Sequence, residues 1–161
     1  MKILLALFVL TLSLFAGSFT FKETRYIYSI DKSIEMEGKI TFEENGMHID
    51  YSEPEVRHIR YNGRAMDVVD SDGEILQHID LNEEPMMKIY MDFLEKLYRG
   101  DYDALSDDFK VLKTETAVIL TPIPPVDKVV KSVIVHKNSK GLQQIKTKMS
   151  SGDEITIHIA Q

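Results

Sequence analysis

Apolar and polar residues alternate along most of this chain, in short runs rich in β-branched and aromatic side chains and divided by turn dipeptides. The alternation predicts strands over residues 19–30, 37–43, 47–52, 56–61, 64–70 and 74–81, and again over 109–113, 117–121, 129–136, 142–149 and 154–159. Asn45-Gly46, Asn62-Gly63 and Asp72-Gly73 favour the positive φ angles of tight hairpins, with Lys140-Gly141 and Ser151-Gly152 as further turn signals. Turns this short force neighbouring strands to run antiparallel.

One stretch breaks the period of two. From Asn82 to Gly100 the apolar positions follow helical spacing. Met86, Ile89, Tyr90, Phe93, Leu94 and Leu97 share one face, Met87, Met91 and Tyr98 widen it, and Lys88, Asp92, Glu95, Lys96 and Arg99 are left for solvent. Asn82 is a candidate cap, Glu83 and Glu84 suit the positive pole, Pro85 is tolerated in the first turn, and Gly100 fits the stop. Residues 101–106 read as a further short turn of helix. One helix and about eleven strands cannot form a helix-covered parallel sheet. The expected class is therefore mostly β (α+β), with the helix over one face or one opening of a curved antiparallel sheet. Three prolines in Thr121-Pro-Ile-Pro-Pro125 predict an extended linker at a sheet edge.

The N-terminus changes how much of the chain enters this fold. Lys2 precedes an apolar run from Ile3 to Phe15, followed by Ala16-Gly17-Ser18. A short cationic head, an apolar stretch too short for a bilayer and a small-residue tail read as a cleaved secretory signal peptide over residues 1–18, with cleavage after Ala16 as the alternative. Removing 18 of the 161 residues leaves 143, enough for a single domain with its own core over residues 19–161. The net charge of −7 becomes −8 once Lys2 is lost, which argues against nucleic acid and anionic membrane surfaces as partners. With no cysteine, no disulfide can assist an exported chain, and the bacterial periplasm is the expected compartment.

The sequence offers little for catalysis. It holds no nucleophile elbow, phosphate-binding glycine loop or zinc motif. His48, His58, His78, His136 and His158 stand singly on predicted strands, and Asp101, Asp103, Asp107 and Asp108 read as a solvated helix end rather than a calcium loop. No enzymatic activity, cofactor or metal is expected. Methionine is the unusual residue: three of the eight, Met86, Met87 and Met91, fall in the helix. Flexible, polarizable side chains suit a surface that accepts apolar partners of different shapes, although a plain core stripe has the same spacing.

Gly38-Lys-Ile-Thr-Phe42, His48-Ile-Asp-Tyr-Ser-Glu-Pro54 and Tyr61-Asn-Gly-Arg64 occur in an order that resembles the outer-membrane lipoprotein carrier (LolA) family. Further matches are Ser18-Phe19-Thr20, Pro85, Leu120-Thr-Pro122 and Ser151-Gly-Asp-Glu-Ile155. Together they extend over about the whole mature chain. The resemblance implies an incomplete, half-open antiparallel barrel with a helical lid, and a cavity that carries acyl chains from an inner-membrane exporter to an outer-membrane acceptor. It makes acylated lipoprotein or lipid the expected cargo and the chain a monomeric, non-enzymatic carrier. On this reading the cavity lining is Phe19, Phe21, Ile40, Phe42, Met47, Ile49, Tyr51, Met66 and Val68, and the lid is Met86, Met87, Tyr90, Met91, Phe93, Leu94 and Leu97.

Two departures accompany the likeness. His48 stands where the family has an arginine that tethers the closed lid, and a neutral imidazole lacks the donors of a guanidinium. The family's N-terminal helix has no counterpart, so a more open cavity is expected. Arg25-Tyr-Ile-Tyr-Ser-Ile30 before Ser33-Ile-Glu-Met-Glu-Gly38 also looks like LolA-related proteins of lipid or glycolipid export, which leaves the cargo open between lipoprotein and lipid. The alternative is a periplasmic interaction or scaffold module without lipid cargo, for which a dry, filled core is expected beneath a permanently packed helix.

Overall fold

A computed structural model describes residues 17–160. The expected signal peptide falls almost wholly outside the described residues. Strands β1 (Ser18–Ile27), β2 (Lys32–Glu43), β3 (Gly46–Glu53), β4 (Arg57–Tyr61), β5 (Ala65–Val69) and β6 (Ile75–Asp80) precede helix α1 (Pro85–Arg99). Strands β7 (Phe109–Lys113), β8 (Ala117–Pro122), β9 (Val130–Asn138), β10 (Gly141–Met149) and β11 (Glu154–Ile159) follow it. All eleven belong to one open antiparallel sheet in the order β6-β5-β4-β3-β2-β1-β11-β10-β9-β8-β7. Two meanders thus grow outward from a central β1–β11 pair, and α1 connects one edge strand to the other.

The first hairpin departs from expectation. Strand β1 stops at Ile27, a 3-10 turn spans Tyr28–Ile30, and β2 already begins at Lys32. The reversal rests on Asp31 in the left-handed region, where no glycine signals a turn, and its tip is held by Tyr26 donating to Asp31 and by the Tyr28 amide donating to Asp153. Glycine is needed elsewhere for space. Gly38 lies opposite Phe21, and a Cβ there would fall 2.9 Å from the phenyl ring and 2.5 Å from the Asp50 carbonyl oxygen.

The helix starts differently from its sequence signal. Asn82 does not cap it; its amide and side chain both donate to Asp80 Oδ1, and Glu84 takes the N-cap without a side-chain bond. The local Asx-type geometry after β6 competes for the side chain. At the other end Gly100 adopts φ 75°, and its amide bonds the Leu97 and Lys96 carbonyls, as a left-handed cap does. The proline segment is not a free edge linker throughout: Pro122 closes β8 opposite Phe109, and Val126–Lys128 forms a 3-10 turn with Val126 buried.

One apolar cluster joins the sheet and α1. Ile40, Met47, Leu97, Leu105, Val118, Leu120, Val133 and Val135 are fully buried in it. Each such side chain contributes about 1.5–3 kcal/mol by leaving water. Phe93 stacks on Phe109 of β7 with ring centroids 4.9 Å apart, and Phe19 meets Phe42 and Tyr98 at 6.0 Å. Along β3 the buried Met47 and Ile49 alternate with half-buried His48 and Asp50, so only one face of the sheet enters the core.

Candidate functional site

Packing between α1 and the sheet leaves a hollow of about 210 Å³. An apolar cavity of ~150 Å³ is enough to hold a benzene-sized ligand. Met87, Met91, Leu94 and Leu97 form its helix side, and Ile49, Ile59, Met66, Ile145, Ile155 and Ile157 its sheet side. Of the lining expected from the sequence, Ile49, Tyr51 and Met66 reach this hollow. Phe21, Ile40, Phe42 and Met47 are buried in the surrounding core, and Phe19 and Val68 pack partly buried against it. Of the expected helix positions, Met87, Tyr90, Met91, Leu94 and Leu97 line it, whereas Phe93 and half-exposed Met86 turn to a much smaller gap beside Val126, Val129 and Val130.

The sequence reading missed a polar group within this lining. Glu23, only 3% exposed, faces the hollow from β1 together with Arg25. Arg25 Nε and Nη2 donate to Glu23 Oε1 at 3.1 and 2.7 Å, and the Tyr51 hydroxyl donates to Oε2 at 3.1 Å. Both oxygens of the buried carboxylate are thereby satisfied. Burial, and next the Glu23 charge, lift the Tyr51 hydroxyl well above the usual tyrosine range. Burial likewise raises Tyr90 and Tyr98, so all three phenols stay neutral donors at physiological pH. The signal was present in the sequence. Phe19, Phe21, Glu23 and Arg25 alternate on one side of a strand, which carries an acid and a base two residues apart inward after two aromatics.

A second depression of about 240 Å³ adjoins the first across Arg25, Tyr51 and Ile59, and continues past Met36 to Arg57. Arg25 stands between the two, with its side chain 41% exposed.

His48 does not tie the helix down. It projects on the side of β3 opposite Met47 and Ile49, with Nε2 3.4 Å from Glu43 Oε1. The tethering guanidinium comes instead from α1. Arg99 Nη2 donates to the Glu43 and Gly46 carbonyls at 2.5 and 2.9 Å, and its guanidinium lies 4.7 Å above the Phe42 ring. Lys88 donates to the Gly63 carbonyl at 3.2 Å, and the Tyr61 hydroxyl donates to Asp92. Three points of the helix are therefore bonded to the β2–β3 and β4–β5 turns and to β4.

On the other face His58 Nδ1 lies 2.7 Å from Asp50 Oδ1, and His78 Nδ1 lies 2.5 Å from Asp67 Oδ1. Among the described residues no three His, Asp or Glu side chains converge as a metal site, and no helix is long and apolar enough to cross a membrane. No protein-family model matches the chain, and no curated protein matches it.

Proposed function

We propose that this protein is a periplasmic, LolA-like carrier that holds acyl chains of lipoproteins or lipids in the hollow under α1 and ferries them from inner to outer membrane. It acts as a monomer and without catalysis, receiving cargo from an inner-membrane exporter and passing it to an outer-membrane acceptor. The sheet serves as an incomplete barrel and α1 as a lid over its concave face. Two adjacent helix residues support this geometry. Asp92 bonds Tyr61 in β4, while Phe93 stacks on Phe109 in β7. Those strands are eight places apart in the sheet, which at ~4.8 Å per strand is about 38 Å if flat. Neighbouring side chains of one helix can reach both only if the sheet curls around it.

The observation that carries the reading is the unfilled, largely apolar hollow beneath methionines 87 and 91. A helix serving only as a core element would be packed closely, because voids of this size cost stability. A cleavage after Ala16 would leave Ser18 paired with Thr41 and the Gly17 carbonyl bonded to the Phe42 amide.

In the test, an environment-sensitive hydrophobic dye is titrated into the purified protein and competed with a diacylated lipopeptide or a phospholipid. Dye binding with displacement is expected. Leu94→Trp, which fills the hollow from the helix side, is expected to weaken dye binding by at least about tenfold, with the fold retained because the void takes the added volume. A folded protein that ignores the dye, or a Leu94→Trp protein that binds it unchanged, contradicts the proposal.

The scaffold reading has one observation in its favour: the Arg99, Lys88 and Asp92 contacts hold α1 at three points. It requires that the hollow stay empty, so the same titration separates the two.

A further inference from the structure

The polar group in the hollow carries a statement about cargo chemistry. Both Glu23 oxygens already accept from Arg25 or Tyr51, and its charge is balanced by the guanidinium beside it. Donors remain. Arg25 makes two side-chain hydrogen bonds among the described residues, and a guanidinium has five N–H groups. Tyr90 lines the same hollow, and its hydroxyl makes no side-chain hydrogen bond among the described residues. No side-chain polar atom among them is both sealed and unpaired, so this hydroxyl keeps some exposure, and the charges that act on it are those of Arg25 and Glu23. The site therefore combines apolar walls, spare neutral and cationic donors, and a charge balance already closed.

A ligand that completes this arrangement is apolar with an uncharged, acceptor-only group. An ester carbonyl fits. A free carboxylate does not, because it would bring a second negative charge to one guanidinium already shared with a buried acid. We propose that the hollow selects neutral acyl esters over free fatty acids, with the chain among Met87, Met91, Leu94 and Met66 and the ester carbonyl accepting from Arg25 and Tyr90. This rests on the carrier reading and specifies its ligand class.

Methyl octanoate and octanoate, competed against the bound dye at pH 8, form the test. The ester is expected to bind at least about tenfold more tightly than the ionised acid. Glu23→Gln keeps a side-chain oxygen for Arg25 but removes the competing charge, so it is expected to bring the acid level with the ester or ahead of it. Glu74→Gln makes the same change in net charge at an exposed turn, and is expected to leave the preference as it was. Equal or tighter binding of the acid by the unaltered protein overturns the inference while leaving the carrier reading intact. So does a shift in Glu74→Gln as large as that in Glu23→Gln. Failure of both ligands to displace dye from folded protein overturns the inference and the carrier reading together.

Discussion

Replacing Arg25 by leucine is expected to destabilise the protein by about 3 kcal/mol in chemical denaturation at neutral pH. The cost comes from the partner left behind. Glu23 is almost fully enclosed, and without the guanidinium it keeps only the Tyr51 hydroxyl against a full negative charge. The figure sits at the low end for a broken buried pair because Arg25 itself is partly exposed. Removing both charges tells the two contributions apart. Glu23→Leu with Arg25→Leu is expected to recover most of the loss, since apolar groups of similar volume replace a buried pair at little net cost. A single substitution costing under about 1 kcal/mol, or a double variant no better than the single, contradicts the assignment of Glu23 as a buried, Arg25-dependent charge.

Phe93→Ala is expected to cost about 3–5 kcal/mol, the range for emptying a buried aromatic site. Phe93 is 2% exposed, stacks on Phe109 and approaches Tyr90 at 6.3 Å between ring centroids. It stacks α1 on the β7 side of the sheet, whereas Arg99, Lys88 and Asp92 hold the opposite side. The loss is therefore expected to fall unevenly. Hydrogen exchange at the α1 amides should accelerate more than at β1 and β11, which pair at the centre of the sheet. Uniform acceleration throughout, or a loss near zero, would mean that the helix does not depend on this contact.

Strand number and helix were legible because period two and period 3.6 are local properties. Every one of the eleven strands has an expected counterpart, and α1 carries Pro85 in its first turn and is closed by Gly100 as expected, though it starts later than a cap at Asn82 would place it. Boundaries failed where the turn chemistry was not written in glycine. Asp31 reverses the first hairpin by a single left-handed residue, which displaced the start of β2 from 32 to 37 in the reading. Asn82 misled for a related reason: an Asx side chain can serve a turn as readily as a helix.

The site was only half legible. Alternation placed Ile49, Tyr51 and Met66 on the inward face, but it could not say that Ile145, Ile155 and Ile157 stand opposite them. That follows from the pairing of β1 with β11, a contact between the two ends of the chain that no local pattern encodes. Glu23 and Arg25 were passed over because charged residues on a strand default to solvent, and only their parity with Phe19 and Phe21 marks them as inward. His48 was assigned from a motif position rather than from parity, and parity sends it outward. The guanidinium that bonds helix to sheet stands on the helix, as Arg99.

The central claim, that the hollow under α1 is a cargo site, is tested most directly by native mass spectrometry of the protein recovered gently from the exported fraction of its own host. The expected spectrum shows one acyl-bearing molecule per chain, released on organic extraction, with the bare protein then able to take up an added acyl ester. A spectrum of bare protein alone, from folded material that also refuses added acyl ligands, would contradict it.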